Sequence, residues 1–567
     1  MIKVPYGISG FETIRKEGFK YIDKTKYIRD IECERYCMYV RPRRFGKTLF
    51  TTTLDAYYSI DKKDEYEELF KGLDIYDNPT EKRNSYYILN FNFSGMLFDT
   101  KIDIKELEKS FIEKVYQHCK KFIERYKLSI NIENKGTAAS ILENVLVSFQ
   151  GLHLQNNIYI IVDEYDHFTN GLLEGECKTF LNILGRAGFV RAFYEVIKAY
   201  TDYNVVERFF ATGVAPLTLD SMTSGFNITT SLTLNPQYVA MTGLTEEEVI
   251  NIVNDIEKDK EKQEKVLKDL VENYDGYKFS KRNLEHIFNP TLVMYYLNNY
   301  VKLGSRPDEI VDKNLSTNAE KLKNLMLIMT PDENYKQIQK LILEGEVSGN
   351  IIQSFELDKT FSSYDFLSLL FYNGYITIKE VEPISNLVKF MVPNFVSYNL
   401  YAQYMLNLIS IENRVKVDIG DLQRALIPFA KEGNLVPILE WVRNFLMYSS
   451  VRDKENFKEQ DLKHIIHLIF TLTKQYDVYT EFPSLQGYTD VYIRNKDKSM
   501  DINEGLIELK YLNKKDDNKS KIEKAKNEAK EQLKNYMKDE RLQANKNLKK
   551  YVVVFVGFEK FYVEEVI

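Results

Sequence analysis

The chain has 567 residues, 44% of them hydrophobic and 28% charged, with a net charge of −6. That length exceeds what one hydrophobic core can serve, so three or four folded units of ordinary globular composition are expected. No apolar run reaches the ~18 residues of a membrane-spanning helix. The acidic balance excludes a wholly basic nucleic-acid coat, and the 4 cysteines are too few for a disulfide framework.

The first residues, MIKVPYGISGFETIRKEG, lack the basic-then-apolar pattern of a secretion signal and read as mature protein, which predicts a cytoplasmic location. Cys33 and Cys37 are spaced C-x3-C and Cys119 follows His118. Structural zinc ligands come in tighter pairs, so these read as scattered reduced thiols. The 40 tyrosines accompany abundant Lys, Asn and Ile, which fits an AT-rich genome and points to no function.

Strands are expected at Tyr36–Val40, Tyr86–Phe93, Ile158–Asp163 and Arg208–Gly213, with helices at Asp103–Tyr126 and Thr137–Phe149 and another opened by Gly46. This alternation over residues 1–245 predicts a parallel α/β sheet of the nucleotide-binding kind. At Thr245 a capping box with Glu248 begins a helical lid over 246–300, interrupted by YDGYKFS (274–280) and FNP (288–290). Within 301–410, SSYDFLSLLFYNGYITI (362–378) reads as helix, glycine turn and strand. A second strand at Val388–Val392 and a helix after Pro393-Asn394 complete a winged-helix-like module. A helical linker is expected over 411–453, and helix, hairpin, helix and strand make an α/β domain over 454–567. Residues 510–550 carry 14 Lys/Arg against 7 Asp/Glu, a pattern shared by solvated helices and phosphate-binding faces.

Two constellations carry chemistry. In the first, Gly46-Lys47-Thr48 stands between an expected strand and an expected helix. Backbone N–H groups at such a helix start cradle phosphates, a lysine reaches the β/γ oxygens, and a hydroxyl ligates magnesium. The first glycine of the general motif is replaced by Arg41, followed by Pro42. Downstream, the apolar strand Ile158–Val162 ends in Asp163-Glu164. There an aspartate holds the magnesium shell and a glutamate polarises the attacking water. Thr212, at the end of RFFATGV, is the expected sensor of the γ-phosphate.

In the second constellation, QGYTDVYI and GLIELKYL place Asp490 on one strand and Glu508 and Lys510 on the next, the last two at i and i+2 on one face. Two carboxylates and a lysine suit metal-assisted phosphodiester cleavage, and Glu459 on the preceding helix is a further candidate metal ligand. The same pattern also describes an exposed ion pair on a hairpin.

The strings GISGFETIRKEGFKYIDKTKYI, RPRRFGKTLF, ATGVAPLTLDSMTSGFN (211–227), GLTEEEV (243–249), YDGYKF (274–279), YNGYIT (372–377) and VPN (392–394) resemble, in order, the AAA-ATPase-like family. Its members often carry a C-terminal PD-(D/E)XK nuclease domain. The family's C-terminal signature is echoed by Thr480-Glu481, Gly487, Asp490 and Ile507–Lys510, then by Glu528-Ala529-x-x-Gln532-Leu533-x-x-Tyr536, although Tyr488-Thr489 replace its Gly-Arg.

The resemblance implies a P-loop NTPase sheet and a restriction-endonuclease-like C-terminal domain. RPRRFGKT itself becomes the phosphate loop, so Arg43, Arg44, Phe45 and Gly46 join Lys47, Thr48 and Asp163 as nucleotide contacts. ATP and Mg2+ are the implied cofactors, with Mn2+ acceptable at the nuclease site, where Asp490, Glu508 and Glu459 are the expected ligands. Nucleic acid, DNA before RNA, is the expected partner. A membrane is not, and a homo-oligomer is allowed. The alternative is an ATP-driven binding switch with an inactive nuclease fold.

Overall fold

The computed structural model describes residues 2–95, 104–167, 188–216, 228–310 (without 284 and 308), 322–326 (without 323), 331–401 (without 354 and 356–361), 419–447, 458–471, 475–496 (without 485 and 486) and 500–566. Residues 217–227 of the matching string at 211–227, parts of the expected linker, and the side chains of Thr480, Glu481 and Gly487 lie outside this description. The chain groups into two compact units, one made of residues 1–341 and 345–397, the other of 342–344 and 398–567.

The first unit is built on a five-stranded parallel sheet. Its strands are β1 (Tyr36–Val40), β2 (Tyr87–Asn92), β3 (Ile158–Asp163), β4 (Val206–Gly213) and β5 (Thr230–Ser231), in the order β2-β3-β4-β1-β5. Every residue of β3 is buried, as an unbroken apolar run covered on both faces should be. The covering helices are α1 (Lys47–Tyr58), α2 (Ile104–Tyr126), α3 (Ala138–Gly151) and α4 (Gly188–Asp202). All strands run the same way, so the carboxyl ends of β1, β3 and β4 converge on one edge, where α/β sheets bind ligands.

Helices α5 (Glu246–Ile256), α6 (Lys260–Tyr274) and α7 (Pro290–Leu303) follow. The expected capping box is present, with Glu248 N donating to Thr245 Oγ1 and Thr245 N to Glu248 Oε2. Val249, Ile252, Val253, Leu270, Leu292 and Leu297 form their common core. The winged module consists of α8 (Ser363–Tyr372), β7 (Thr377–Val381) and β8 (Val388–Met391), joined by β6 (Val347–Gly349), a strand too short to announce itself in the sequence.

The second unit contains α9 (Ile419–Glu432), α10 (Val436–Met447), α11 (Glu459–Thr471), β9 (Tyr476–Ser484), β10 (Gly487–Asn495), β11 (Glu504–Leu512), α12 (Lys519–Tyr536), β12 (Leu548–Val556) and β13 (Lys560–Glu565). Its sheet runs β13-β12-β11-β10-β9, with β11 and β12 parallel and the remaining pairs antiparallel. Between Asp490 and Glu508, residues 491–495 belong to β10 and 504–507 to β11. Helix α12 buries Ile522, Ala525, Ala529, Leu533 and Tyr536 on the sheet. Among the described residues no helix is long and apolar enough to cross a membrane.

The YDGYKF turn is fixed by its glycine. Gly276 has φ +96, and a Cβ there would lie 2.1 Å from the Pro393 carbonyl oxygen of the VPN string. Gly276→Ala therefore meets both αL strain and a backbone collision, and should cost ~2 kcal/mol or more. Gly72→Ala, at φ +79 with nothing within 4 Å, meets the strain alone, ~1 kcal/mol. Equilibrium unfolding of both variants checks the order; equal losses would refute this account of the turn.

Candidate functional site

The loop after β1 is shaped by a buried arginine. The Arg41 guanidinium lies between the rings of Tyr39 and Phe279, 4.4 and 4.3 Å from their centroids. It donates to the carbonyls of Val40 (3.0 Å), Thr233 (2.7 Å) and Tyr238 (3.3 Å). It is 1% exposed with no carboxylate partner among the described residues, and burial lowers its pKa. Phe45 is fully buried, packed edge-on against Tyr277 (4.9 Å) and Phe279 (5.3 Å). Phe45 is an expected nucleotide contact, and its ring is buried away from solvent, where it anchors the loop. The carbonyls of Phe45 and Arg44 accept from Gly243 N (3.1 Å) and Thr291 Oγ1 (2.9 Å).

Arg44 (φ +68) and Gly46 (φ +84) turn the loop into the start of α1. Lys47 Nζ is held by the carbonyls of Arg41 and Pro42, both at 2.9 Å, and burial pushes its pKa down to about 8. Thr48 Oγ1 donates to Asp163 Oδ2 at 2.8 Å, bringing together the two hard oxygen groups that a magnesium shell requires. Burial raises the Asp163 pKa. Glu164 has φ +53, and its Oε2 lies 3.0 Å from His167 Nδ1, a contact that lowers the carboxyl pKa.

Arg43, Arg44, Gly46, Lys47, Thr48 and Glu164 line a cavity of about 630 Å3. Tyr6, Ile8, Ile22, Met241, Pro290 and Met294 give it an apolar wall. Thr212 does not reach it. Its buried hydroxyl donates to the Tyr39 carbonyl at 2.7 Å, because the side chain turns toward β1 within the sheet.

Residues outside the expected set also take part. Asn92 Nδ2 reaches Asp163 Oδ2 at 3.3 Å, and His167 lines the cavity. A polar residue ending a parallel strand was the available signal for Asn92. The string Tyr21–Thr25 acquires a role. Asp23 accepts from Thr25 N (2.8 Å), Thr25 Oγ1 (2.6 Å) and Asp74 N (2.7 Å), while Lys24 pairs with both oxygens of Glu248 (2.6 and 2.7 Å). The string thereby fastens the N-terminal segment to the start of α5 as one wall of the cavity.

In the second unit, the register Val491↔Ile507 continues outward to Asp490 and Glu508, which therefore face each other across β10 and β11. Glu508 is 1% exposed; its Oε1 accepts from Lys510 Nζ at 3.0 Å, and its buried Oε2 has no hydrogen-bond partner. Burial, and then the Asp490 carboxylate, push the Glu508 pKa up to about 8. Burial opposes charge on Lys510, but Glu508, Asp490 and Glu459 outweigh it and raise its pKa. Asp490 Oδ2 accepts from Leu509 N at 2.8 Å, and Oδ1 is ion-paired with Lys463 of α11. Tyr536 stands close enough that burial and the same two carboxylates push its pKa up to about 12.

Glu459 accepts from Tyr511 N at 3.3 Å. No group of three or more His, Cys, Asp or Glu poised for a metal occurs among the described residues, so Glu459 does not complete a triad with Asp490 and Glu508. Two facing carboxylates, one with an oxygen that has no hydrogen-bond partner, are nevertheless the hard oxygen ligands a divalent cation takes, with the Lys510 ammonium 3.0 and 3.9 Å from them.

Residues 5–223 match a family described as predicted AAA-ATPase, and residues 457–565 match the PD-(D/E)XK nuclease superfamily. The chain is also 30% identical over 256 residues to an uncharacterized protein in the vnfD 5' region of Azotobacter chroococcum mcd 1. The similarity covers 44% of each chain, so less than half of that relative is spanned. The chain thus carries a predicted AAA-ATPase domain at residues 5–223 and a PD-(D/E)XK nuclease superfamily domain at residues 457–565.

Proposed function

We propose that this protein is an ATP-controlled, metal-dependent nuclease of the cytoplasm that cuts phosphodiester bonds in DNA. The observation that carries the reading is the facing pair Asp490 and Glu508, with Lys510 hydrogen-bonded to Glu508 and Glu508 Oε2 left unclaimed. A divalent cation, Mg2+ or Mn2+, held there would polarise the scissile phosphate and acidify a water. Lys510 orients that water and steadies charge on the phosphate.

In the first unit, Lys47 reaches the β/γ oxygens of ATP, Thr48 and Asp163 hold Mg2+, and Glu164 accepts the proton of the attacking water. The apolar wall takes the base. ATP control is inferred from the two motif sets on one chain.

A second reading is an ATP-driven switch whose C-terminal fold holds nucleic acid or protein without cutting. One observation favours it. The lysines of α12 are largely neutralised, Lys521 by Asp516, Lys526 by Glu523, Lys530 by Glu564 and Lys534 by Glu531, which weakens attraction for a phosphate backbone.

Plasmid cutting with magnesium, with and without ATP, separates the readings. Glu508→Ala and Lys510→Ala should each lower cutting ~100-fold or more, the loss of several kcal/mol of transition-state stabilisation. Lys47→Ala should weaken ATP binding roughly 10- to 100-fold, the loss of one charge-assisted contact, and remove the ATP effect. Undiminished cutting by Glu508→Ala would eliminate the catalytic assignment.

A second test uses the Glu508 pKa, raised from 4.5 to about 8. The folded state holds a proton that the unfolded state has released, so this carboxyl favours folding at low pH. The contribution is lost as pH rises through about 8. Cation binding must expel the same proton. Calorimetry in buffers of different ionisation enthalpy should show nearly one proton released at about pH 7 and almost none at about pH 9. Glu508→Gln should abolish the difference, and equal release at both pH values would contradict the assignment.

A further inference from the structure

Lys463 was not anticipated as a site residue. It lies four residues after Glu459 on α11, so both side chains leave the same face of the helix. Buried Leu462, Ile466, Ile469 and Phe470 fix α11 in its unit. The Lys463 side chain is 13% exposed, with its ammonium on Asp490 Oδ1 and 3.9 Å from Glu459 Oε1. A stem so enclosed leaves the ammonium little room to swing away.

The four carboxylate oxygens of Asp490 and Glu508 can be accounted for one by one. Asp490 Oδ1 is taken by Lys463, Asp490 Oδ2 by Leu509 N–H with the Lys510 ammonium 3.9 Å away, and Glu508 Oε1 by Lys510. Glu508 Oε2 alone is buried without a donor. Lys510 therefore spans the two carboxylates, while Lys463 stands on the other oxygen of Asp490. Two-metal nucleic-acid enzymes set their cations ~3.5–4 Å apart across a shared carboxylate. Here the outer side of Asp490 already carries a fixed positive charge, which would repel a second divalent ion at that distance.

We propose that this cleft takes one divalent cation, between Asp490 and Glu508, and that the Lys463 ammonium holds the place a second cation would fill. Lys463 then neutralises Asp490 and steadies charge on the bound phosphate without itself dissociating. This rests on the nuclease reading of the same residues.

Mn2+ binding to the full-length, nucleotide-free protein, followed by electron paramagnetic resonance, tests the stoichiometry. Asp490→Asn supplies the background from sites elsewhere. Wild type should show one Asp490-dependent Mn2+. Lys463→Met, which keeps the apolar stem, should show two, and Lys463→Arg, which keeps the charge and checks that substitution leaves the cleft folded, should show one. Two Asp490-dependent ions in wild type, or one in Lys463→Met with a wild-type circular dichroism spectrum, would overturn the role of Lys463 and leave the nuclease reading standing. No Asp490-dependent ion in any of the proteins would overturn both.

Discussion

The nucleotide-binding edge depends on one buried charge that has no carboxylate partner among the described residues. Placing a guanidinium in the interior is costly, and the usual remedy is a carboxylate. Arg41 has instead two aromatic faces and three backbone carbonyls. Cation–π contacts strengthen when desolvated, to ~2 kcal/mol or more, and charge-assisted bonds to carbonyls add to them. The arrangement ties the end of β1 to Thr233 and Tyr238 and to Phe279, two stretches far from β1 in sequence. A flexible glycine could fix none of them, so the departure from the general phosphate-loop motif is the means by which this loop is held. Phe45 adds a second anchor, against Tyr277 and Phe279, and shares the Phe279 ring with Arg41. The YDGYKF string is therefore a socket for the loop.

Much of this was legible in the sequence where a residue's role follows from its own element. An apolar run ending in Asp163-Glu164 can only be a buried strand whose last residues emerge at an edge, and β3 ends as its pattern requires. The i, i+2 relation of Glu508 and Lys510 is a property of any strand, and their 3.0 Å contact follows from it. What stayed hidden depends on a partner elsewhere. Thr212 stands in the right position at the right strand end, but neither composition nor spacing shows that the Tyr39 carbonyl captures its hydroxyl. Phe45 sits inside the loop motif, yet which way its ring points is decided by residues more than 200 positions later. Lys463 required knowing how α11 docks on the sheet.

At both sites burial disfavours the charged form of one group, a cation in the first unit and an anion in the second. At the phosphate loop, burial drives Lys47 toward its neutral form, and the carboxylates of Asp163, Asp166 and Glu164 only partly restore the cation. A polyanion beside it would complete that restoration. In the second unit, burial and Asp490 drive Glu508 toward its neutral form, and Lys510 only partly restores the anion. There a cation would complete it. Each site keeps a group whose charged state burial makes unfavourable by itself. An ordinary surface ion pair, fully compensated and solvated, keeps no such group. That separates Glu508 and Lys510 from the exposed hairpin pair that the sequence alone equally allows, because an exposed pair would leave no buried oxygen unclaimed and no carboxyl drawn far above its usual range.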